Sequence, residues 1–141
     1  MDKALSYLSL ARKAGRIELG EEPVGAAARA VHAWLVIVAS DASDHTWRRA
    51  ASFVAGTDQQ RIRLPYSKDQ LGMAVGRQSL AIAAVTDPTM ALAFLKAMGQ
   101  DDRYADAIES LSKRSDRIRR HQQEQKAHLR KKSGKAHVKK N

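Results

Sequence analysis

The residues with the most chemical content in this chain run from Gly15 to Ala30, Gly-Arg-Ile-Glu-Leu-Gly-Glu-Glu-Pro-Val-Gly-Ala-Ala-Ala-Arg-Ala. They read as a strand over residues 16–19 that stops at Gly20 and opens at once into a helix. Gly20 has access to backbone angles closed to other residues, so the chain can turn sharply there. Pro23 suits a first helical turn, where amides lack intrahelical partners and a missing N–H costs little. Such a corner offers free N–H groups and the positive end of a helix dipole, a receptor for phosphate or a nucleic-acid backbone. Glu21 and Glu22 work against it, since two carboxylates at the helix start repel phosphate and satisfy the dipole from within the chain. Leu71 to Asp87 is a second stretch of this kind. A helix ends at Gly76, an exposed loop of Arg77, Gln78 and Ser79 follows, and Leu80 leads an apolar strand away.

Residues for reaction chemistry do not assemble. The histidines (His32, His45, His121, His128, His137) are scattered, and none stands at metal-ligand spacing from a second ligand. Glycine-rich dinucleotide and phosphate-loop patterns are absent, as is the Gly-x-Ser-x-Gly of hydrolases. Asp41, Asp44, Asp69 and Asp87 fall where helix caps belong. No nucleophile–base pair emerges. The expectation is a protein without catalysis, metal or cofactor.

The elements that must hold the two bends alternate between helix and strand. Asp2 can cap a first helix running to about Ala14, with Leu5, Leu8 and Ala11 on one side and Arg12 and Lys13 in its last turn. The second helix is rich in alanine and can pack closely on a sheet. Residues 34–39 are continuously apolar and rich in β-branched side chains, the mark of a strand covered on both faces. Ser40 to Asp44 supplies caps for a third helix ending near Gly56. Residues 60–64 alternate as a half-covered strand does. Ser67 and Gln70 match a capping box. Residues 80–85 form a fourth strand, and Asp87-Pro88 opens a helix that Gly99 closes. Trp34 and Trp47, among apolar neighbours, read as core. This order predicts an α/β chain folded as a three-layer α/β/α sandwich on a small four-stranded mixed sheet, with a basic C-terminal helix and tail.

Charge divides the chain. From Lys113 to Asn141 there are twelve Lys and Arg against two acidic residues, the whole of the +10 net charge; residues 1–112 balance at thirteen of each sign. A neutral body with a cationic arm suits a polyanion. The organisation expected is a body over 1–99, a basic helical extension over 100–125 with an apolar stripe of Tyr104, Ile108, Leu111 and Ile118, and a disordered basic tail over 126–141. Zero cysteines suit a reducing cytoplasm. The start lacks the pattern of a signal peptide, and no apolar run is long enough to cross a bilayer.

Four segments in register carry a resemblance. Gly15-Arg-Ile-Glu-Leu-Gly-Glu-Glu, Leu35-Val-Ile-Val-Ala-Ser-Asp-Ala-Ser, Leu71-Gly-x-Ala-Val-Gly and Ala81-Ile-Ala-Ala-Val-Thr-Asp resemble the ribosomal L-seven-Ae family, and within it the bacterial YlxQ-like branch, over residues 4–98. The resemblance implies a four-stranded sandwich that binds kink-turn or similarly bent RNA without catalysis. It places the RNA against two adjoining loops, here Leu19 to Ala26 and Gly76 to Leu80. Strong kink-turn binders in that family carry Gly-x-Asn-Glu-x-x-Lys at the corner. This chain keeps Gly20 but has Glu22, Pro23 and Ala26 at the other three positions. The side chains that read a sheared G·A step and meet phosphate in that pattern are thus replaced.

The expected RNA contacts are Leu19, Gly20, Glu21, Glu22, Gly76, Arg77, Gln78, Ser79 and Leu80, flanked by Arg12, Lys13 and Arg16. Lys113, Arg114, Arg117, Arg119, Arg120, Arg130, Lys131 and Lys132 are expected to add phosphate affinity from the tail. The role expected is that of a monomeric, cytoplasmic accessory factor of the bacterial ribosome or of transcription and translation, with structured RNA as its partner. A protein–protein adaptor on the same fold, docking through the Tyr104 stripe, is the alternative.

Overall fold

The computed structural model describes residues 2–100 and 102–140, with side chains described as far as Arg130. The elements are α1 (Lys3–Lys13), β1 (Ile17–Leu19), α2 (Glu21–Arg29), β2 (Leu35–Val38), α3 (Asp44–Val54), β3 (Gln60–Arg63), α4 (Lys68–Val75), β4 (Ile82–Val85), α5 (Pro88–Ala97) and α6 (Ala105–Lys140). Side-chain caps start four of them. Asp2 caps α1, Ser43 caps α3, Ser67 with Gln70 closes a capping box on α4, and Asp87 caps α5 ahead of Pro88. These are the starts expected from the sequence.

The sheet has the order β1-β4-β2-β3. β2 pairs with β3 in parallel, and β4 runs antiparallel to both β1 and β2. Every residue of β2 and of β4 is buried, so two central strands share the position expected of residues 34–39 alone. Helices α2 and α3 pack on each other on one side; α1, α4, α5 and the start of α6 pack together on the other. The chain is the expected three-layer sandwich.

The expected division at residue 99 is not a break in the core. Tyr104, Ala107 and Leu111 of the last helix are buried in the same apolar cluster as Phe94, Leu35 and Leu8. The Tyr104 hydroxyl donates to the Arg63 carbonyl at 3.1 Å, and the Gln60 amide donates to the Ser110 hydroxyl at 3.3 Å, so α6 lies along β3. The stripe that was to offer an adaptor its docking face is therefore consumed within the chain. Helix α6 is also continuous across residue 126, where a change to unstructured chain was expected. Burial ends earlier: Ile118 is half-buried and residues 119–130 are all exposed.

The tryptophans are not wholly core. Trp34 and Trp47 are half-buried against the cluster, and each has a guanidinium over its ring. Arg114 lies 4.5 Å from the Trp34 centroid; Arg61 and Arg63 lie 3.5 Å and 4.8 Å from that of Trp47. Val31, at the end of α2, holds a left-handed φ of 58°, a position that favours glycine.

Candidate nucleic-acid interface

Strand directions decide what can share a surface. β1, β2 and β3 run one way and β4 the other, so the last residues of β1 sit beside the first of β4. The Gly20 amide donates to the Ile82 carbonyl at 3.0 Å. Two residues ahead of Ile82, the loop 76–80 arrives. Both glycine-marked bends therefore lie at one end of the sheet, here called the corner end.

At that end α2 begins with Gly20 at φ 94° and ψ 162°, and no side chain caps it. Helices α1, α3, α4 and α5 all have such a cap, whereas the first amides of α2, those of Glu21 and Glu22, are left for an outside acceptor. The two expected acids are not equivalent. Glu21 is paired with Arg49 of α3 at 2.7 Å, whereas Glu22 is exposed and has no ion pair among the described residues. The repulsion expected of two free carboxylates is thus that of one.

Three ties hold the second loop. Gly76 closes α4 with φ 76°, and its N–H and that of Arg77 both donate to the Gly72 carbonyl. The Leu80 amide donates to the Lys68 carbonyl at 3.0 Å, while the Lys68 amide donates to Asp41 at 2.8 Å. The loop also folds back onto Gly72 itself. A Cβ there would stand 2.7 Å from the Arg77 carbonyl oxygen and 2.8 Å from the Ser79 nitrogen. Sequence reasoning missed Gly72, Arg49 and Asp41 in these roles. Of these, only the Gly72-x-x-x-Gly76 spacing carried a readable signal.

The structure brings Leu19, Gly20, Glu21, Glu22, Gly76, Arg77, Gln78, Ser79 and Leu80 together. Arg77, Gln78 and Ser79 are exposed. Leu19 and Leu80 are 4% and 3% exposed, so they shape the bends from inside and do not touch a ligand with their side chains. Arg12, Lys13 and Arg16 lie at the opposite end of the sheet from the corner. The Arg16 carbonyl accepts from Thr86, just past the end of β4, and at the strand rise of ~3.3 Å per residue it stands about 13 Å from Gly20. Adjacency in the chain put them on the list; the length of β1 takes them off the corner.

The tail residues are displaced in the same sense. Helix α6 starts beside Arg63 at the corner end and reaches Thr89 at the far end, where the Ser115 and Thr89 hydroxyls are 3.0 Å apart. Arg117, Arg119, Arg120 and Arg130 follow, all exposed, away from the corner. Lys113 pairs with Glu109, Arg119 is 3.8 Å from Asp116, and Arg114 is half-buried on Trp34. Lys131 and Lys132 lie outside the residues whose side chains are described. Among the described residues no group of three metal-ligating side chains gathers, and no helix is long and apolar enough to cross a membrane.

Tyr66 supports the corner end from below, its carbonyl accepting from Ser40 at 2.8 Å. Burial first, then its hydrogen bond to Asp2, push its phenol up to about 12 from an ordinary 10.0; burial also raises Tyr104. A raised phenol holds its proton more tightly folded than unfolded. Its contribution is therefore complete below pH 10 and lost as the pH climbs toward 12. Thermal melts should fall across that window, and Tyr66→Phe should make the fall shallower. An unchanged pH profile in that variant would remove Tyr66 from this account.

The fold and its corner define an α/β/α sandwich with an uncapped helix start and a glycine-held loop side by side. No described protein family and no curated protein matches the sequence. Solved structures do resemble it. A Bacillus halodurans protein of unknown function has a TM-score of 0.64 at 28% identity, covering 71% of this chain and 100% of that one. A Giardia lamblia 15.5kD RNA binding protein has a TM-score of 0.57 at 17% identity, covering 76% of this chain and 85% of that one.

Proposed function

We propose that this chain is a non-catalytic RNA-binding protein that seats bent RNA of the kink-turn kind at its corner end. The observation that carries the reading is the Gly20–Ile82 hydrogen bond, which puts the two bends side by side. The uncapped start of α2 adds donors for a phosphate or a base edge. The fold shared with the Giardia RNA binding protein and the resemblance to the ribosomal L-seven-Ae family, YlxQ-like branch, support the same reading. With Glu22, Pro23 and Ala26 in place of the reading side chains, recognition here is by loop shape and backbone donors. Its place would be the bacterial cytoplasm, as a monomeric accessory factor of the ribosome or of transcription and translation.

Gel-shift titration of the full chain against a kink-turn RNA and a straight duplex tests this. The bent RNA should bind more tightly, and its log affinity should fall by about 0.7 to 0.9 per log unit of salt for each phosphate held. Arg77→Glu should weaken the bent RNA selectively. Equal affinity for both RNAs, or no response to Arg77→Glu, would overturn the proposal.

A further inference from the structure

The far end carries its own constellation, which the corner does not use. A groove of about 510 Å³ runs between the β4–α5 bend and α6, and Arg16, Trp34, Thr86, Thr89, Arg119 and Gln122 are among its lining residues. That volume falls in the range of about 300–1,000 Å³ that takes a compact ligand, enough for one nucleotide. Residues 115, 118, 119 and 122 share one face of α6 by their spacing, so the wall is regular.

Its cations are lightly committed. The Arg16 side chain is exposed and makes no hydrogen bond or ion pair among the described residues. Arg119 has one acid near it, Asp116, at the outer limit of pairing. Asp87 is the one carboxylate in the groove's lining, and it is committed to the first amides of α5, accepting from Thr89 at 2.8 Å and Met90 at 3.3 Å. The other acids of α6's first turns, Asp106 and Glu109, line a different groove with Asp58, Lys113 and Arg117. Arg12 and Lys13 close α1 just ahead of Arg16 and add to the same field. Trp34 lines the groove while Arg114, outside the lining, lies over its ring with a buried Nε that has no partner among the described residues.

We infer that this groove is a second RNA seat, taking a phosphate and its base from a single-stranded segment, independent of the corner. The free Arg16 guanidinium and the loosely paired one of Arg119 suit a phosphodiester, and the Trp34 indole suits a base. The chain then holds two RNA segments at opposite ends of one sheet. The inference rests on the RNA-binding reading but not on the corner.

The test uses the full chain, a short fluorescent oligouridylate and a kink-turn RNA. Arg16→Glu with Arg119→Glu should weaken the oligouridylate by on the order of tenfold and flatten its log–log salt slope by about 0.7, the single-strand share of the one phosphate held, while kink-turn affinity stays within about twofold. Arg77→Glu should do the reverse. Arg16→Gln with Arg119→Gln, checked by thermal melting, should reproduce the direction if charge reversal unfolds the chain. In a Trp47→Phe background the remaining Trp34 emission should change when the oligouridylate binds. Failure of the native chain to bind oligouridylate, with kink-turn binding intact, sinks the second seat and leaves the corner standing. So does equal weakening of both RNAs by the arginine pair. Binding of neither RNA sinks both readings.

Discussion

Gly72→Ala should lower stability by about 1–3 kcal/mol and detach the 76–80 loop from the body. The added Cβ would lie 2.7 to 2.9 Å from three backbone atoms, the Arg77 oxygen and the Ser79 nitrogen and Cα, and backbone cannot step aside as a side-chain tip can. The other glycines set the scale. At Gly25 a Cβ would meet the Phe53 ring at 3.1 Å, and a ring edge can give by a few tenths of an ångström. At Gly76 there is open space, and Ala costs only the left-handed backbone penalty of ~1 kcal/mol. Urea unfolding gives the stability, and amide exchange at residues 77–80 reports the loop. Corner RNA affinity should fall with it. If Gly72→Ala unfolds at the native urea midpoint with the loop amides still protected, the fold-back does not hold the loop.

Leu111→Ala should cost about 2–5 kcal/mol, the range for a leucine removed from a close-packed interior. Leu111 is 1% exposed and lies beyond residue 99, where the body was expected to end. Removing residues 126–141 should by contrast leave the melting temperature essentially where it was, because residues 119–130 are exposed and make no core contact. A Leu111→Ala melt within experimental error of the native one would return α6 to the status of an appendage.

The local grammar of the sequence was sufficient for the elements. Asp87-Pro88 and the Ser67–Gln70 box mark helix starts by hydrogen bonds that span two or three residues, and the structure makes those bonds. Relations across the chain were not legible in the same way. Arg16 and Gly20 are neighbours in sequence, but three strand residues between them carry the two to opposite ends of the sheet. An apolar stripe such as Tyr104–Leu111 looks the same whether its partner is another protein or the chain's own sheet. Trp34 and Trp47 have apolar neighbours in sequence, and the arginines that cover them come from positions 61, 63 and 114. The demand for glycine at position 72 comes from a loop that returns to it. Within the candidate interface, the two bends could be read from turn chemistry, whereas their side-by-side placement depended on the order in which strands pair.

The position of the last helix has a further consequence for how the molecule lives in concentrated solution. Gln60 and Leu64 turn their amides to β2, so Arg61 and Arg63 aim their backbone groups outward, toward α6. β1, on the other side of the sheet, is only three residues long and offers little to a visiting strand. A protease cut ahead of Tyr104 would uncover a row of unsatisfied donors and acceptors on an outermost strand, the template on which identical chains add edge to edge. The last helix is in this sense the cover of that edge as well as a wall of the core.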